Sequence, residues 1–370
     1  MEFFGLPSKL QAMIKSISLH RLRLPLTTPY KLAFGDVRHF DTIVSVVEGE
    51  NGSTGLGEAT ILTGYTDETI DDSWTLIEHL AGQLINKSSD EVSQLLINHL
   101  KKSPFTVTSL LTAIDMIRDP KLFHVDKNVA IPILGILNGH SKNELAPEVN
   151  SLLERGFKTF KVKVGFDVQA DIEKVKNVQE IVRERALVRI DGNQGYKQNE
   201  AIEFVSQLSP ESIELFEQPC IAGDWESALN VSKHSLVPMM LDESIYDMTD
   251  IDKAANIHCA KYIKVKLMKF GSTVNLIKAI QRIKEYDMIP VLGNGVAADI
   301  GCWMEALVAN NHIKNAGEMN GFLKPTKSIL ENPLKFSNGT IQLEKNYIPV
   351  LDRDYLKSTE ISKYNFHQIN

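Results

Sequence analysis

Five charged residues recur at a nearly constant interval, each at the end of an apolar segment. Lys163 ends KTFKVK, Asp191 ends LVRID, Glu217 ends IELFE, Asp242 ends VPMMLD and Lys266 ends YIKVK. Successive members lie 28, 26, 25 and 24 residues apart, which is close to the ~30 residues of a strand–helix–strand unit. The spacing predicts that each charge lies one such unit after the last, at the same end of its strand.

Short apolar runs alternate with amphipathic stretches from about residue 129 onward. Their nearly continuous apolar interiors are typical of parallel strands that are buried on both faces. Eight such repeats favour a closed barrel over a doubly wound sheet. The predicted strands are 129–137, 158–164, 187–191, 213–217, 237–242, 262–267, 289–294 and 312–319.

The segment before the barrel has a different pattern. Residues 12–26 alternate apolar and polar side chains, and residues 40–59 have the pattern of two strands around a turn at 50–52. Asn-Gly between β-rich runs is a strong hairpin signal. Amphipathic helical patterns follow up to residue 128. The predicted fold class is therefore α/β, a modified (β/α)8 TIM-type barrel with an N-terminal α+β capping domain. We expect a capping domain at 1–128 (with 1–12 as an extension), a barrel at 129–334 and a return to the capping domain at 335–370.

Composition excludes several classes of partner. The net charge is −7 with both signs mixed along the chain, whereas nucleic-acid binding needs a basic surface. No apolar run approaches the ~18–20 residues of a membrane span, and the N-terminus lacks the pattern of a signal peptide. The three cysteines are scattered and odd in number, which indicates free thiols in a reducing cytoplasm.

Three carboxylates at neighbouring strand ends predict a metal site. Barrel enzymes build their active sites at the C-terminal ends of the strands, where Asp191, Glu217 and Asp242 are expected. A single acid there usually caps a helix or pairs with a basic residue, but three in phase repel one another unless a cation neutralises them. Oxygen ligands suit Mg²⁺, with Mn²⁺ as the alternative ion.

The flanking lysines predict proton transfer. Lys163 and Lys266 lie on the strands on either side of the acids, so they face each other across a ligand on the metal. One neutral lysine would remove a proton and the other would return one, and burial and nearby positive charge would lower the lysine pKa for this purpose. Lys161 would supply such charge or touch the substrate, and Lys264 repeats its spacing beside Lys266. Removal of the proton on the carbon next to a substrate carboxylate makes an enediolate. A metal ion bound to that carboxylate would stabilise the enediolate.

These motifs resemble the enolase superfamily, in particular its muconate-lactonising-enzyme subgroup. The resemblance spans nearly the whole chain and rests on Lys161-Val162-Lys163, DGNQG after the third strand, EQP, DES and KVKLMKFGS. The seventh strand end, LGNGVA, lacks the histidine base of the mandelate-racemase branch. Within the subgroup the motifs are most similar to dipeptide epimerases, which act on small dipeptides such as L-Ala-L-Glu. The resemblance also implies a homo-oligomer.

The substrate-binding positions depart from that family. Its eighth strand commonly carries Asp-X-Asp for the dipeptide ammonium, whereas this chain has Glu318-Met319-Asn320. The arginine of the first capping loop is replaced by Gly35, with Arg38 and Lys31 nearby. Asn193 is a further candidate to orient a ligand, and loops around 30–40 and 60–66 are expected to cover the site.

Other readings stay open on the sequence. The same enediolate serves N-acylamino-acid racemases, o-succinylbenzoate synthases and cycloisomerases. A barrel that only binds a metal or a carboxylate ligand is disfavoured, because both lysines are present.

Overall fold

The computed structural model describes residues 12–32 and 35–368. An antiparallel sheet of four strands, in the order β14-β1-β2-β3, opens the fold. Three helices follow, and apolar residues from both layers, such as Ile17, Leu19, Ile77 and Leu110, form one buried cluster. The elements of this layer are β1 (Ile14–Leu32), β2 (Gly35–Gly49), β3 (Thr54–Ile61), α1 (Ile70–Leu84), α2 (Ser89–Leu100) and α3 (Pro104–Arg118). The predicted turn at 50–52 joins β2 to β3.

The second part of the fold is a parallel sheet of seven strands in the order β11-β10-β9-β8-β7-β6-β5. A large apolar core lies between its strands and the surrounding helices, as expected for strands buried on both faces. The strands are β5 (Gly135–Leu137), β6 (Thr159–Lys163), β7 (Leu187–Asp191), β8 (Ile213–Glu217), β9 (Met239–Leu241), β10 (Tyr262–Val265) and β11 (Ile289–Leu292). The middle predicted strands are thus confirmed, and the curled sheet confirms the barrel fold class.

The first predicted strand, 129–137, is wrong as a single strand. It divides into β4 (Val129–Pro132) and β5, because β4 pairs outside the barrel with a strand from the C-terminal segment. Only β5 pairs with β6 in the barrel. The apolar sequence runs on without a break through 133–134, so it gives no sign that β4 and β5 pair with different strands.

The last predicted strand, 312–319, is also wrong in extent. The preceding helix reaches His312. Within 312–319, Gly317 forms an isolated parallel bridge with Ile133. Gly317 N donates to Pro132 O, and Glu318 N donates to Leu292 O at 3.0 Å each. This short segment still closes the barrel between its first and seventh strands.

Helices alternate with the barrel strands as the sequence predicts. Ser141 and Glu144 form a capping box at the start of the first of them, and Gly156, with φ of +85°, follows its end. The helices are α4 (Lys142–Glu154), α5 (Val168–Val182), α6 (Gln198–Ser206), α7 (Trp225–His234), α8 (Met248–Ile257), α9 (Leu267–Phe270), α10 (Thr273–Glu285) and α11 (Asp299–His312). Short 3₁₀ turns lie at Pro120–Phe123, Arg183–Arg185 and Gly321–Leu323.

The C-terminal segment contacts both layers. Its elements are β12 (Lys335–Ser337), β13 (Thr340–Leu343), α12 (Arg353–Thr359) and β14 (Glu360–His367). β13 pairs with β4, whereas β14 pairs with β1 in the first sheet. The boundaries at 128 and 334 stay a prediction.

A buried carboxylate joins the two layers. Glu58 on β3 accepts hydrogen bonds from the backbone of Ala298, Ile300 and Gly301 at the start of α11. A helix N-terminus leaves such N–H groups without partners in the helix itself. This contact fixes the first sheet against the barrel end that carries the strand-end charges.

Within the described residues, no helix combines the length and apolar character that crossing a membrane requires.

Candidate active site

Strand register brings the predicted charges to one end of the barrel. Lys163 pairs with Asp191, and Asp191 pairs with Glu217 in the parallel ladder. Asp242 and Lys266 each follow the last residue of their strand, β9 and β10. Four of these five residues are buried, the exception being Lys163. The repeated interval in the sequence therefore corresponds to one ring of side chains.

Lys161 lies at the centre of the acids. Its ammonium is 2.7 Å from Asp191 Oδ2, 3.0 Å from Glu217 Oε2 and 2.9 Å from Glu318 Oε1. The side chain is almost fully buried. The positive charge of its ammonium offsets much of the repulsion among the three carboxylates around it. Lys161 thus contacts two predicted metal ligands and one predicted substrate residue.

Lys264 is a second buried lysine among the same acids. Its ammonium contacts Glu217 Oε1 and lies 2.7 Å from Glu318 Oε1. Glu318 Oε1 therefore accepts from both Lys161 and Lys264. Although burial opposes the charged form, these two lysines hold the pKa of Glu318 far below its usual value.

Asp242 binds a different pair of lysines. Its Oδ2 lies 2.7 Å from Lys266 Nζ, and its Oδ1 lies 2.8 Å from Lys269 Nζ. Lys266 also donates to the hydroxyl of Tyr65 at 2.7 Å. Burial opposes ionisation of Asp242, but the lysine charges outweigh it and hold its pKa well below the usual value.

The expectation of a lowered pKa at Lys266 is wrong for this arrangement. Burial does act to lower it, yet the charge of Asp242 outweighs burial and raises the pKa of Lys266 well above its ordinary value. The pKa of Lys161 is raised in the same way by Asp191, Glu217 and Glu318. The sequence argument considered neighbouring lysines and burial but left out the acids that face them.

Lys163 occupies a more open position. Its ammonium donates to Asn193 Oδ1 and lies 3.9 Å from Asp191 Oδ2. Asn193 has a positive φ of 41° and donates through Nδ2 to Glu243 at 3.2 Å. The backbone turn after β7 thus directs the Asn193 amide towards Lys163. The predicted role of Asn193 in orienting a ligand stays a prediction.

A cavity of about 560 Å³ lies at these strand ends. Tyr65, Tyr246 and Lys324 are also among its lining residues. The predicted site residues that line it are Lys161, Lys163, Asp191, Asn193, Asp242, Lys266, Glu318 and Asn320. A larger depression of about 820 Å³ lies outside the barrel near α5, α6 and α7 and is lined by none of the five strand-end charges. The chemistry therefore places the site in the smaller cavity.

Two predicted residues do not line that cavity. Glu217 lies beneath it, covered by the lysines that it binds. Arg38 is exposed on β2, nearer the tip of its hairpin, and lines a separate depression with Asp36 and Ile61. The structure therefore does not bring Arg38 to the other site residues, and the Lys31 side chain lies outside the described part of the chain.

The acids fit a divalent cation by their chemistry. Asp191 Oδ2 and Glu217 Oε2 are buried and have no hydrogen bond of acceptable angle, although both lie within 3.0 Å of the Lys161 ammonium. Burial, then the charge of Asp191, raises the pKa of Glu217 to about 8. A cation on these oxygens would remove that penalty.

The described residues do not present three acids already grouped around one metal position. Lysine ammonium groups lie between these carboxylates: Lys161 is 2.7 Å from Asp191, Lys264 contacts Glu217, and Lys266 is 2.7 Å from Asp242.

Two family models match the chain over most of its length. Residues 16–118 match the mandelate racemase/muconate lactonizing enzyme N-terminal domain, and residues 144–347 match the enolase C-terminal domain-like family. The chain belongs to the enolase superfamily. It is an enzyme of the muconate-lactonising subgroup and an isomerase, which confirms the resemblance seen in the sequence.

Relatives of this chain in the enolase superfamily are named for different substrates. The chain is 25% identical to an N-succinyl-L-Arg/Lys racemase of Bacillus cereus over 88% of each protein. It is 25% identical to an L-Ala-D/L-Glu epimerase of Clostridium acetobutylicum, over 80% of this chain and 84% of that one. A dipeptide epimerase from Cytophaga hutchinsonii, solved with Mg and D-Ala-L-Val, has the same fold, with a TM-score of 0.85, 20% identity and coverage of 95% and 99%.

Three residues of this enolase-superfamily site were not selected from the sequence. Lys264 had a visible signal, since it lies two residues before Lys266 on the same face of the strand. Lys269 lies one helical turn beyond Lys266, in α9. Tyr65 lies in the 60–66 loop that was expected to cover the site, but no pattern paired it with Lys266, which lies 201 residues away.

Proposed function

We propose that the protein is a Mg²⁺-dependent dipeptide epimerase that acts by two-base 1,1-proton transfer. The observation that carries the proposal is that Lys163 and Lys266, which come from two different barrel strands, line one cavity. They lie at the ends of β6 and β10, four strand positions apart in the barrel order. The α-carbon of the C-terminal residue of a dipeptide between them would present one face to each lysine.

Asp191, Glu217 and Asp242 are the residues that would hold the metal ion. Enolase-superfamily enzymes use Mg²⁺, and the carboxylate oxygens of this site suit that ion or Mn²⁺. When bound, the cation supplies positive charge next to the substrate carboxylate, which lowers the cost of forming an enediolate.

The two lysines would exchange roles with the direction of the reaction. One neutral amine takes the α-proton on its Nζ, and the electron pair of the broken C–H bond enters the enediolate. The ammonium of the other lysine then donates a proton to the opposite face, which inverts the carbon. Lys163 is held by Asn193 and Lys266 by Tyr65, so each Nζ has a partner that is not a predicted metal ligand.

Glu318 and Asn320 are proposed to contact the amino-terminal part of the substrate. Both line the cavity next to the lysine–acid network. A carboxylate and an amide oxygen can accept hydrogen bonds from a substrate ammonium. Relatives whose names specify L-Ala-D/L-Glu, D-Ala-D/L-Ala and hydrophobic dipeptides support a dipeptide substrate.

A second candidate is racemisation of an N-acylamino acid. Glu318 Oε1 already accepts from two lysine ammonium groups, so a substrate ammonium would be the third cation on one carboxylate. An acyl group without a positive charge avoids this competition. The Bacillus cereus relative is named for such a substrate.

Deuterium incorporation at the α-carbon tests both candidates. The protein would be incubated in D₂O with Mg²⁺ and matched libraries of dipeptides and N-succinyl amino acids, and the products analysed by mass spectrometry and chiral chromatography. We expect deuterium and inverted product from dipeptides. Exchange from N-succinyl amino acids alone would favour the second candidate, release of water or ring isomerisation would indicate another reaction of the subgroup, and no exchange at all would contradict both.

The protein is further proposed to be a cytoplasmic homo-oligomer. Cys220, Cys259 and Cys302 are buried free thiols, which is consistent with a reducing compartment. The oligomer rests on the family resemblance alone.

A further inference from the structure

The loop that carries Tyr65 belongs to the capping layer, yet it reaches the barrel lysine Lys266. Tyr65 lies between β3 and α1, and its hydroxyl accepts a hydrogen bond from Lys266 Nζ at 2.7 Å. The same ammonium lies 5.3 Å from the centre of the Tyr65 ring. One side chain from the first layer therefore contacts the ammonium of this proposed base.

Tyr65 is held in place by the capping layer itself. Its backbone N–H donates to Leu62 O at 3.0 Å, and its ring packs edge-on against Phe105 at 5.9 Å. Phe105 lies in the first turn of α3, where the buried Glu68 carboxylate accepts from Phe105 N and Thr106 N at 3.0 Å each. The position of the hydroxyl is thus fixed by packing that does not involve the barrel lysine.

The two partners of Lys266, Asp242 and Tyr65, differ in the other groups that they bind. Asp242 is a proposed metal ligand and also binds Lys269. Tyr65 is not a proposed metal ligand, and its hydroxyl binds Lys266. The Tyr65 hydroxyl is therefore the partner that can hold Lys266 Nζ whatever occupies the Asp242 oxygens. Lys163, by contrast, is held by Asn193 from the barrel.

We propose that Tyr65 is a positioning residue that directs Lys266 Nζ towards one face of the substrate α-carbon. The inference rests on the proposed function and adds an asymmetry to it. The capping loop positions one of the two bases, and the barrel positions the other. Loss of the Tyr65 hydroxyl should therefore impair proton transfer on one face only.

The test compares Tyr65→Phe with Tyr364→Phe as the matched control. Tyr364 also belongs to the first layer, where its ring stacks on Trp74, and it does not line the cavity. The initial rate of α-proton loss would be measured in D₂O for each substrate isomer separately, and Lys266→Ala would identify the isomer that Lys266 deprotonates. We expect Tyr65→Phe to slow that isomer by about tenfold or more and to leave the other within about twofold. Equal slowing of both isomers, or no slowing, would overturn the proposal.

A second readout does not depend on turnover. Acylation of Lys266 by acetic anhydride, measured against Lys163 by peptide mass spectrometry, should be faster in Tyr65→Phe than in wild type or Tyr364→Phe, because a released Nζ is more accessible. An unchanged ratio would show that Tyr65 does not hold Lys266. Absence of exchange in the wild-type protein with a changed labelling ratio would contradict the proposed function and leave the Tyr65–Lys266 contact supported.

Discussion

Lys163 and Lys266 line one cavity in opposite surroundings, with 52% of the Lys163 side chain exposed and only 6% of the Lys266 side chain. Lys266 is bound by Asp242 and Tyr65, while Lys163 is bound by the amide of Asn193. Two lysines with the same proposed chemistry therefore differ in exposure and in the charge of their partners.

That difference predicts unequal reactivity in the metal-free protein. Burial opposes the charge of Lys266, but Asp242 outweighs burial and raises the pKa of Lys266 well above its ordinary value. Because the Lys266 side chain is also far less exposed than that of Lys163, acetic anhydride should modify Lys163 several-fold faster. Saturating Mg²⁺ should raise the Lys266 rate, because a cation on Asp242 removes its counter-charge. Peptide mass spectrometry gives both rates, and equal rates without Mg²⁺ would contradict this description.

Gly293 provides a second prediction, because it lies against the lysine side chains. A Cβ at this position would lie 2.9 Å from Lys264 Cδ and 3.0 Å from Lys266 Cε. Gly293→Ala should displace both lysines and lower kcat by about tenfold to a hundredfold, with an unchanged circular dichroism spectrum. Gly82→Ala is the control, since its Cβ would meet Phe366 at an ordinary 3.5 Å. Wild-type kcat in Gly293→Ala would show that the lysine positions do not limit the reaction.

The strand-end charges could be predicted from the sequence because two regular periods placed them. The interval of 24 to 28 residues set the repeat of the barrel, and alternation along a strand placed Lys161 and Lys163 on one face. Runs such as 187–191 and 213–217 coincide with β7 and β8. Local patterns were sufficient where each strand pairs only with its sequence neighbours.

The remaining features depend on contacts between distant segments. Residues 129–137 change partner because β13, two hundred residues later, pairs with their first half. Tyr65 reaches Lys266 through a loop of another layer. The raised pKa of Lys266 depends on how closely Asp242 approaches it. No periodicity in the sequence encodes any of these distances.

Loss of a central carboxylate should weaken metal binding. Glu217→Gln keeps the shape of the side chain but removes its charge, and we expect the Mg²⁺ affinity to fall about tenfold or more, as for other changes at metal sites. Isothermal titration calorimetry measures this, with Glu226→Gln on the exposed face of α7 as the control. Equal Mg²⁺ affinity in the two variants would exclude Glu217 from the metal site.

The Glu58 contact predicts a pH-dependent stability. Burial raises the pKa of Glu58 from 4.5 to about 7, against the effect of its N–H donors. The carboxyl group of Glu58 therefore binds a proton more tightly in the folded state than in the unfolded state. Its contribution to the free energy of unfolding is complete below pH 4.5 and is lost as the pH rises to about 7. The loss amounts to about 3 kcal/mol.

Thermal unfolding across that range tests the Glu58 assignment. Glu58→Gln has no titrating group there, so its unfolding midpoint should fall less than that of wild type between pH 5 and pH 7.5, whereas the surface variant Glu226→Gln should follow wild type. Parallel curves for Glu58→Gln and wild type would show that Glu58 does not titrate in this window.

The most direct test of the two-base account is isomer-specific exchange in Lys163→Ala and Lys266→Ala. Each variant would be incubated with Mg²⁺ in D₂O and with each substrate isomer separately, and α-deuterium and inversion would be measured by mass spectrometry and chiral chromatography. We predict that both variants lose inversion, and that each retains exchange from one isomer only, the opposite isomer in the two variants. Exchange of the same isomer by both variants, or inversion at the wild-type rate in either, would contradict opposed catalysis by these two lysines.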